Sequence, residues 1–142
     1  MKIIINEKQF KMIIESDENI RNIITKTNDY NIYENAFNDA YSNIDEDYSI
    51  SFDYGDIEKT FSDLGKTETV DVDYLVSPQT MVNSKTVNEY INAKNFNGSY
   101  GVKFQGNDEE VMVVDGNHKI NAAIKSGESA VKMKVITIPF NS

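Results

Sequence analysis

The residues best suited to chemistry in this chain of 142 residues form one short run, residues 113–119. Its two valines predict the end of a buried strand, Asp115 and Gly116 predict a tight turn, and a helix is predicted to begin at Asn117. The first turn of a helix has unpaired backbone N–H groups and the positive end of the helix dipole. The junction is therefore suited to binding a phosphate or another anion.

The side chains of this junction suggest individual roles. Gly116 allows a positive φ and a close approach of the backbone to a ligand. Lys119 brings a cation within reach, and His118, the only histidine of the chain, is a donor or a general acid/base. His118 and Lys119 are therefore the candidate catalytic residues. The alternative is structural, because strand–glycine–helix junctions without a ligand are common and a single histidine is more often structural than catalytic.

Composition limits the class of protein. Hydrophobic residues make up 39% and charged residues 26%, as in ordinary globular proteins. The chain has no Cys, which excludes disulfides, thiolate metal sites and a cysteine nucleophile. No apolar run approaches the roughly 18 residues of a membrane span, so no membrane partner is expected. We expect a cytoplasmic protein, located in a host cell or in a virion if the chain is encoded by a phage.

The charge is strongly acidic and unevenly distributed. The net charge is −9; residues 1–66 carry 14 Asp and Glu against 7 Lys and Arg, and residues 67–142 carry 9 against 7. Tight binding to duplex DNA needs several cations facing phosphates, so a nucleic-acid partner would not be bound through net charge. An acidic surface that mimics nucleic acid is one alternative. The acidic residues between 45 and 56 do not have the spacing of a calcium loop, and no metal site is predicted.

The first half of the chain, residues 1–66, is predicted to be a mostly helical extension. Apolar residues at helical spacing predict helices that begin at Asn6 and Asp17, and a third over residues 30–44. Alternating residues predict a strand at 48–52, and a short helix is predicted to begin after Asp56.

The second half, residues 67–142, is predicted to be an α+β domain with a small mixed sheet. The predicted order is strand, helix, strand, strand, helix, strand. The strands are predicted at residues 70–76, 102–104, 110–114 and 131–138, and the helices at residues 85–93 and 117–126.

Two segments of this half resemble the ParB/sulfiredoxin-like superfamily. Residues 70–78, VDVDYLVSP, resemble the opening pattern V-x-V-x-x-L-x-P of ParB-like domains, with the proline one position later in this chain. Residues 112–127 resemble the second signature, in which a strand ends in DG-E/N/H-R/H-R and the helix continues as xxAAxxxG. The resemblance covers about residues 67–138 and implies a ParB/sulfiredoxin-like fold with a nucleotide-phosphate site at the strand–helix junction.

The resemblance also implies roles for residues of the junction. Gly116, Asn117, His118 and Lys119 would contact the phosphates of a nucleotide, ATP or CTP with Mg²⁺, and Asp115 would shape the turn. The chain departs from the family where sulfiredoxins have a catalytic Cys, since Asn117 occupies that position, and sulfiredoxin activity is excluded. Lys119 stands where Arg is usual and cannot form a bidentate phosphate fork. No helix-turn-helix region is recognised, so a complete DNA-segregation protein is not expected.

Two functions therefore remain open, besides the acidic mimic. The first is a binding or structural module of a phage or mobile element, with a protein partner or self-association and a degenerate phosphate site. The second is a small nucleotide-dependent enzyme for phosphotransfer, NTP hydrolysis or nucleic-acid cleavage. In that enzyme His118 would act as acid or base, and Lys119 would stabilise the charge of the phosphate.

Overall fold

The computed structural model describes residues 18–26, 30–42, 44–50 and 56–139. These residues form seven strands and four α-helices. In chain order the elements are β1 (Asn19–Arg21), α1 (Tyr30–Phe37) with a π-helical continuation (Asn38–Ser42), α2 (Ile57–Leu64), β2 (Lys66–Asp71), a 3₁₀ turn (Val72–Tyr74), β3 (Leu75–Val76), β4 (Met81–Asn83), α3 (Ser84–Ala93), β5 (Ser99–Phe104), β6 (Val111–Asp115), α4 (Asn117–Lys125) and β7 (Ala130–Ile138).

The centre of the fold is a mixed sheet of five strands in the order β2-β7-β5-β6-β3. The β2–β7 and β5–β6 pairs are antiparallel, and the β7–β5 and β6–β3 pairs are parallel. Strands β1 and β4 form a separate antiparallel pair. The α+β class with a small mixed sheet, predicted from the sequence, is confirmed.

The sheet buries an apolar cluster on each face. One cluster joins valines of β6 and β7 to Ile120 and Ala123 of α4 and to Ile24. The other joins Ile136 and Ile138 of β7 to the aromatic residues of α1 and α2. Both faces are covered because strand residues alternate between them. One end of the sheet contains the end of β6 and the beginnings of β5 and β7, because β5 runs antiparallel to β6 and parallel to β7. Helix α4 begins at this end, since it follows β6 directly.

The prediction of a helix that begins at Asp17 is wrong for the residues that the structure describes. Residues 19–21 form strand β1, whose Ile20 pairs with Val82 of β4. Thr25 then forms a parallel bridge with Ser77, and Ile24 is buried in the core. Isoleucine is common in strands, so the isoleucines of this segment are compatible with a strand as well as with a helix. Pairing with the distant strand β4 decided that residues 19–21 are extended. Residues 18–26 consequently pack against the second half of the chain.

The prediction of one continuous strand over residues 70–76 is also wrong. The 3₁₀ turn interrupts it after Asp71, whose side chain accepts the backbone N–H of Asp73 at 2.9 Å. The two parts, β2 and β3, lie at opposite edges of the sheet. Residues 48–50 have no strand where one was predicted, while residues 51–52 and the helix predicted at Asn6 lie outside the described residues.

Other local predictions are confirmed. Asp56 caps α2 by accepting the N–H of Lys59 at 3.0 Å, and Gly65 follows the last residue of that helix. Tyr33 and Phe37 of α1 are buried, as their spacing of four residues predicts. Helices α3 and α4 and strand β7 match their predicted positions within one or two residues.

Candidate functional site

The turn between β6 and α4 requires glycine at position 116. Gly116 has a φ of +102°, which disfavours residues with a side chain. A Cβ atom added there would lie 2.6 Å from the Cβ and 2.8 Å from the Cα of Ser99. The Ser99 hydroxyl donates to the carbonyl oxygen of Gly116 at 3.2 Å. The first residue of β5 thereby holds the turn against the sheet.

Helix α4 begins without a side-chain cap. Asp115 accepts the N–H of Gly116 at 2.8 Å, and the first helical hydrogen bond runs from the N–H of Ile120 to the carbonyl of Gly116. Within the described part of the chain, no atom accepts a hydrogen bond from the backbone N–H of Asn117, His118 or Lys119. Three donors at the positive end of a helix therefore lack a partner, and two of them belong to His118 and Lys119, which also line a cleft.

A cleft of about 160 Å³ adjoins these residues, and we call it the α4 cleft. It is lined by Tyr90, Gly98, Asp115, Gly116, His118 and Lys119. Four of the five residues predicted from the sequence, all except Asn117, thus line one cavity. Tyr90 and Gly98 were not identified from the sequence, because they lie before β6 and carry no local signal of a site.

Lys119 provides the positive charge of the α4 cleft. Its Nζ lies 5.6 Å from the centroid of the Tyr90 ring, within the range of a cation–π contact. A Cβ at Gly98 would lie 3.4 Å from this ammonium, so the glycine keeps the space beside it open. Among the described residues, no carboxylate pairs with Lys119. The ammonium can therefore face an anionic ligand.

His118 is held by the backbone rather than by a catalytic partner. Its Nε2 accepts the backbone N–H of Asn83 at 3.0 Å, so the neutral ring carries its proton on Nδ1. Burial lowers the pKa of His118, and the charge of Asp115 opposes that shift in part. A protonated ring would place an N–H against the N–H of Asn83. His118 consequently remains neutral near pH 7 and links the start of α3 to the start of α4.

Asn117 is buried and belongs to a polar network beneath the cleft. Its Oδ1 accepts from the side chain of Asn22 at 3.0 Å, and its Nδ2 donates to Oε1 of Gln79 at 3.3 Å. Only its backbone N–H therefore remains for the phosphate contact implied by the resemblance. Asn121, one helical turn later, donates to Oδ1 of Asn22 at 2.8 Å and accepts the N–H of Ile23 at 3.0 Å.

This network attaches residues 18–26 to the first turns of α4. Sequence reasoning missed Asn22 and Asn121, although two asparagines four residues apart on one helix face were a usable signal. Buried amides without partners are costly, so this pair implied a polar contact inside the protein.

The described residues contain no group of three or more His, Cys, Asp or Glu side chains able to hold a metal ion. Asp115 is the carboxylate that lines the α4 cleft. Within the same residues, no helix is both long and apolar enough to span a membrane.

No protein-family model matches this chain, and no curated protein or solved structure is significantly similar to it. Three unpaired backbone donors, one ammonium and one neutral imidazole can bind an anionic group.

Proposed function

We propose that this chain is a ParB/sulfiredoxin-like binding module whose α4 cleft holds one phosphate group of a nucleotide or a related ligand. The observation that carries the proposal is the set of unpaired N–H groups of Asn117, His118 and Lys119 beside the Lys119 ammonium. The succession of β6, Gly116, α4 and β7 agrees with the second signature of the family, whereas the family's opening strand is divided here into β2 and β3 by the 3₁₀ turn.

The size and charge of the cleft favour a single phosphate group. Ligand sites for drug-sized molecules have volumes of roughly 300–1,000 Å³. The α4 cleft, at about 160 Å³, would enclose a phosphate while the sugar and base lie outside it. Lys119 is its one cationic side chain and Asp115 adds a negative charge, so the lining has too little positive charge to neutralise a triphosphate by itself.

The environment of His118 favours binding over catalysis. A general base needs a free lone pair, and the Nε2 lone pair of His118 already accepts the N–H of Asn83. In the proposed role His118 positions the start of α4. The alternative, a nucleotide-dependent enzyme that uses His118 and Lys119, requires this hydrogen bond to break during turnover.

The proposal predicts which backbone amides respond to phosphate. In a ¹⁵N–¹H NMR titration with inorganic phosphate, CTP and ATP, the amides of residues 117–119 should shift most. Lys119→Ala should weaken phosphate binding about tenfold, about 1.4 kcal/mol, because a charge-assisted contact is lost. Lys125→Ala is the matched control, since Lys125 is exposed in the last turn of the same helix.

Two outcomes would reject the proposal as stated. One is the absence of shifts at residues 117–119 with millimolar phosphate, and the other is equal weakening by the Lys119 and Lys125 variants. Nucleotide turnover that His118→Ala abolishes in a folded protein would instead favour the enzyme.

A further inference from the structure

A second cleft of about 330 Å³ lies beside the α4 cleft. It is lined by residues of β2, β5 and β7, among them Tyr100, Lys132 and Lys134, and it shares Gly98 with the α4 cleft. Gly98 has no side chain to separate the two spaces. The clefts therefore adjoin at the end of the sheet where α4 begins.

The second cleft lies on one face of the sheet. Thr67, Lys134 and Tyr100 are direct cross-strand neighbours, so their side chains share this face. Phe61 of α2 stacks on Tyr100 with ring centroids 4.7 Å apart, which marks the border of the helical layer. Lys132 lies two residues before Lys134 on the same face, about 6.6 Å along the strand.

The lysines of the two clefts, like Lys85 and Lys125 elsewhere on the surface, form no ion pair with a described residue, whereas two other lysines do. Lys59 and Lys103 each form ion pairs with two carboxylates. Lys119, Lys132 and Lys134 form none with any residue that the structure describes. In a chain with a net charge of −9, three unpaired lysines around adjoining clefts are complementary to an anionic partner.

We propose that the two clefts form one groove that binds single-stranded nucleic acid. This inference rests on the proposed function: the phosphate in the α4 cleft would be one backbone phosphate of the strand. Neighbouring phosphates would contact Lys132 and Lys134, and bases would contact the half-buried rings of Tyr90 and Tyr100. Lysines interleaved with aromatic rings are the pattern by which proteins bind single strands.

A single strand fits this groove better than a duplex. The strand is flexible enough to bring its phosphates into two adjoining clefts, whereas a rigid duplex presents its phosphates on a convex surface. Asp115 lines one of the two clefts, and three lysines are too few for tight non-specific duplex binding.

The number of lysines determines the expected salt dependence. For single strands the logarithm of the affinity falls with the logarithm of the salt concentration, with a slope of about −0.7 per neutralised phosphate. Three lysines therefore predict a slope of about −2, or about an 18-fold loss of affinity between 50 and 200 mM salt.

The test uses the full chain and a fluorescein-labelled octamer of deoxythymidine, dT8, with binding followed by fluorescence anisotropy. The double variant Lys132→Ala/Lys134→Ala should reduce the slope from about −2 to about −0.7. The control Lys85→Ala/Lys125→Ala removes two exposed lysines outside both clefts and should keep the slope near −2. An unlabelled polyphosphate of eight units, which lacks bases, should compete at least tenfold more weakly than unlabelled dT8, because stacking contributes about 1–3 kcal/mol per base.

Each failure has a distinct meaning. Equal slopes for the two double variants would overturn the groove, and the phosphate site would stand if residues 117–119 still respond to inorganic phosphate. Equal competition by polyphosphate and dT8 would reject nucleic acid in favour of a polyanion without bases. Loss of the phosphate response itself would overturn the proposed function and this inference together.

Discussion

Replacing Gly116 by alanine should reveal how strongly the β6–α4 turn depends on glycine. At a φ of +102° an L-residue carries a backbone cost of about 1–2 kcal/mol. The new Cβ would also lie 2.6 Å from the Cβ of Ser99, far inside the normal contact distance of about 3.5–4.0 Å. Relieving that overlap should cost about 1–3 kcal/mol more. We expect Gly116→Ala to lower the free energy of unfolding by about 2–5 kcal/mol.

Gly127→Ala isolates the backbone cost. Gly127 has a φ of +87°, and an added Cβ would meet no atom within 4 Å. Its loss of stability should therefore be about 1–2 kcal/mol. Urea denaturation followed by circular dichroism measures both variants. Losses equal within about 0.5 kcal/mol would refute the reasoning, because the contact with Ser99 would then cost nothing. Unfolding of Gly116→Ala in buffer, with Gly127→Ala folded, would agree with the upper end of the range.

Two further predictions concern the polar contacts around α4. Because burial lowers the pKa of His118, the unfolded chain binds this proton more readily than the folded protein. The stability from neutral His118 should thus be complete above about pH 6.5 and decline as the pH falls below that value toward the folded pKa. NMR titration of this single histidine and a comparison of unfolding with His118→Gln test this, and a measured pKa at or above about 6.5 would contradict it. Asn121→Ala should lower the free energy of unfolding by about 1–3 kcal/mol, since it leaves the N–H of Ile23 without a partner and removes one of the two hydrogen bonds that Oδ1 of Asn22 accepts. Urea denaturation should show less than about 0.5 kcal/mol for the exposed control Asn88→Ala, and a similar effect of both variants would argue against the network.

The sequence alone was sufficient for features whose cause is local. The glycine turn before α4 follows from Gly116, and the bounds of α2 follow from its cap Asp56 and from Gly65. Such signals act within a few residues, through backbone dihedrals and capping hydrogen bonds, so a single sequence carries them in full. The α+β class follows for the same reason, from periodicities of two and 3.6 residues.

Only the tertiary structure decided what the site residues contact. The sequence suggests that His118 is a general acid or base. In the structure its Nε2 accepts the backbone N–H of Asn83, a residue 35 positions away in the chain. The family resemblance implies that Asn117 contacts phosphate. In the structure its side-chain amide is hydrogen-bonded to that of Asn22, 95 positions away in the chain. The clefts lined by Lys119 and by the lysines of β7 adjoin at Gly98, just before β5, and the pairing of β5 with β6 and β7 brings their linings together. The physical reason is the same in each case: partners far apart in the chain are selected by the packing of the whole sheet, which no local pattern of residues specifies.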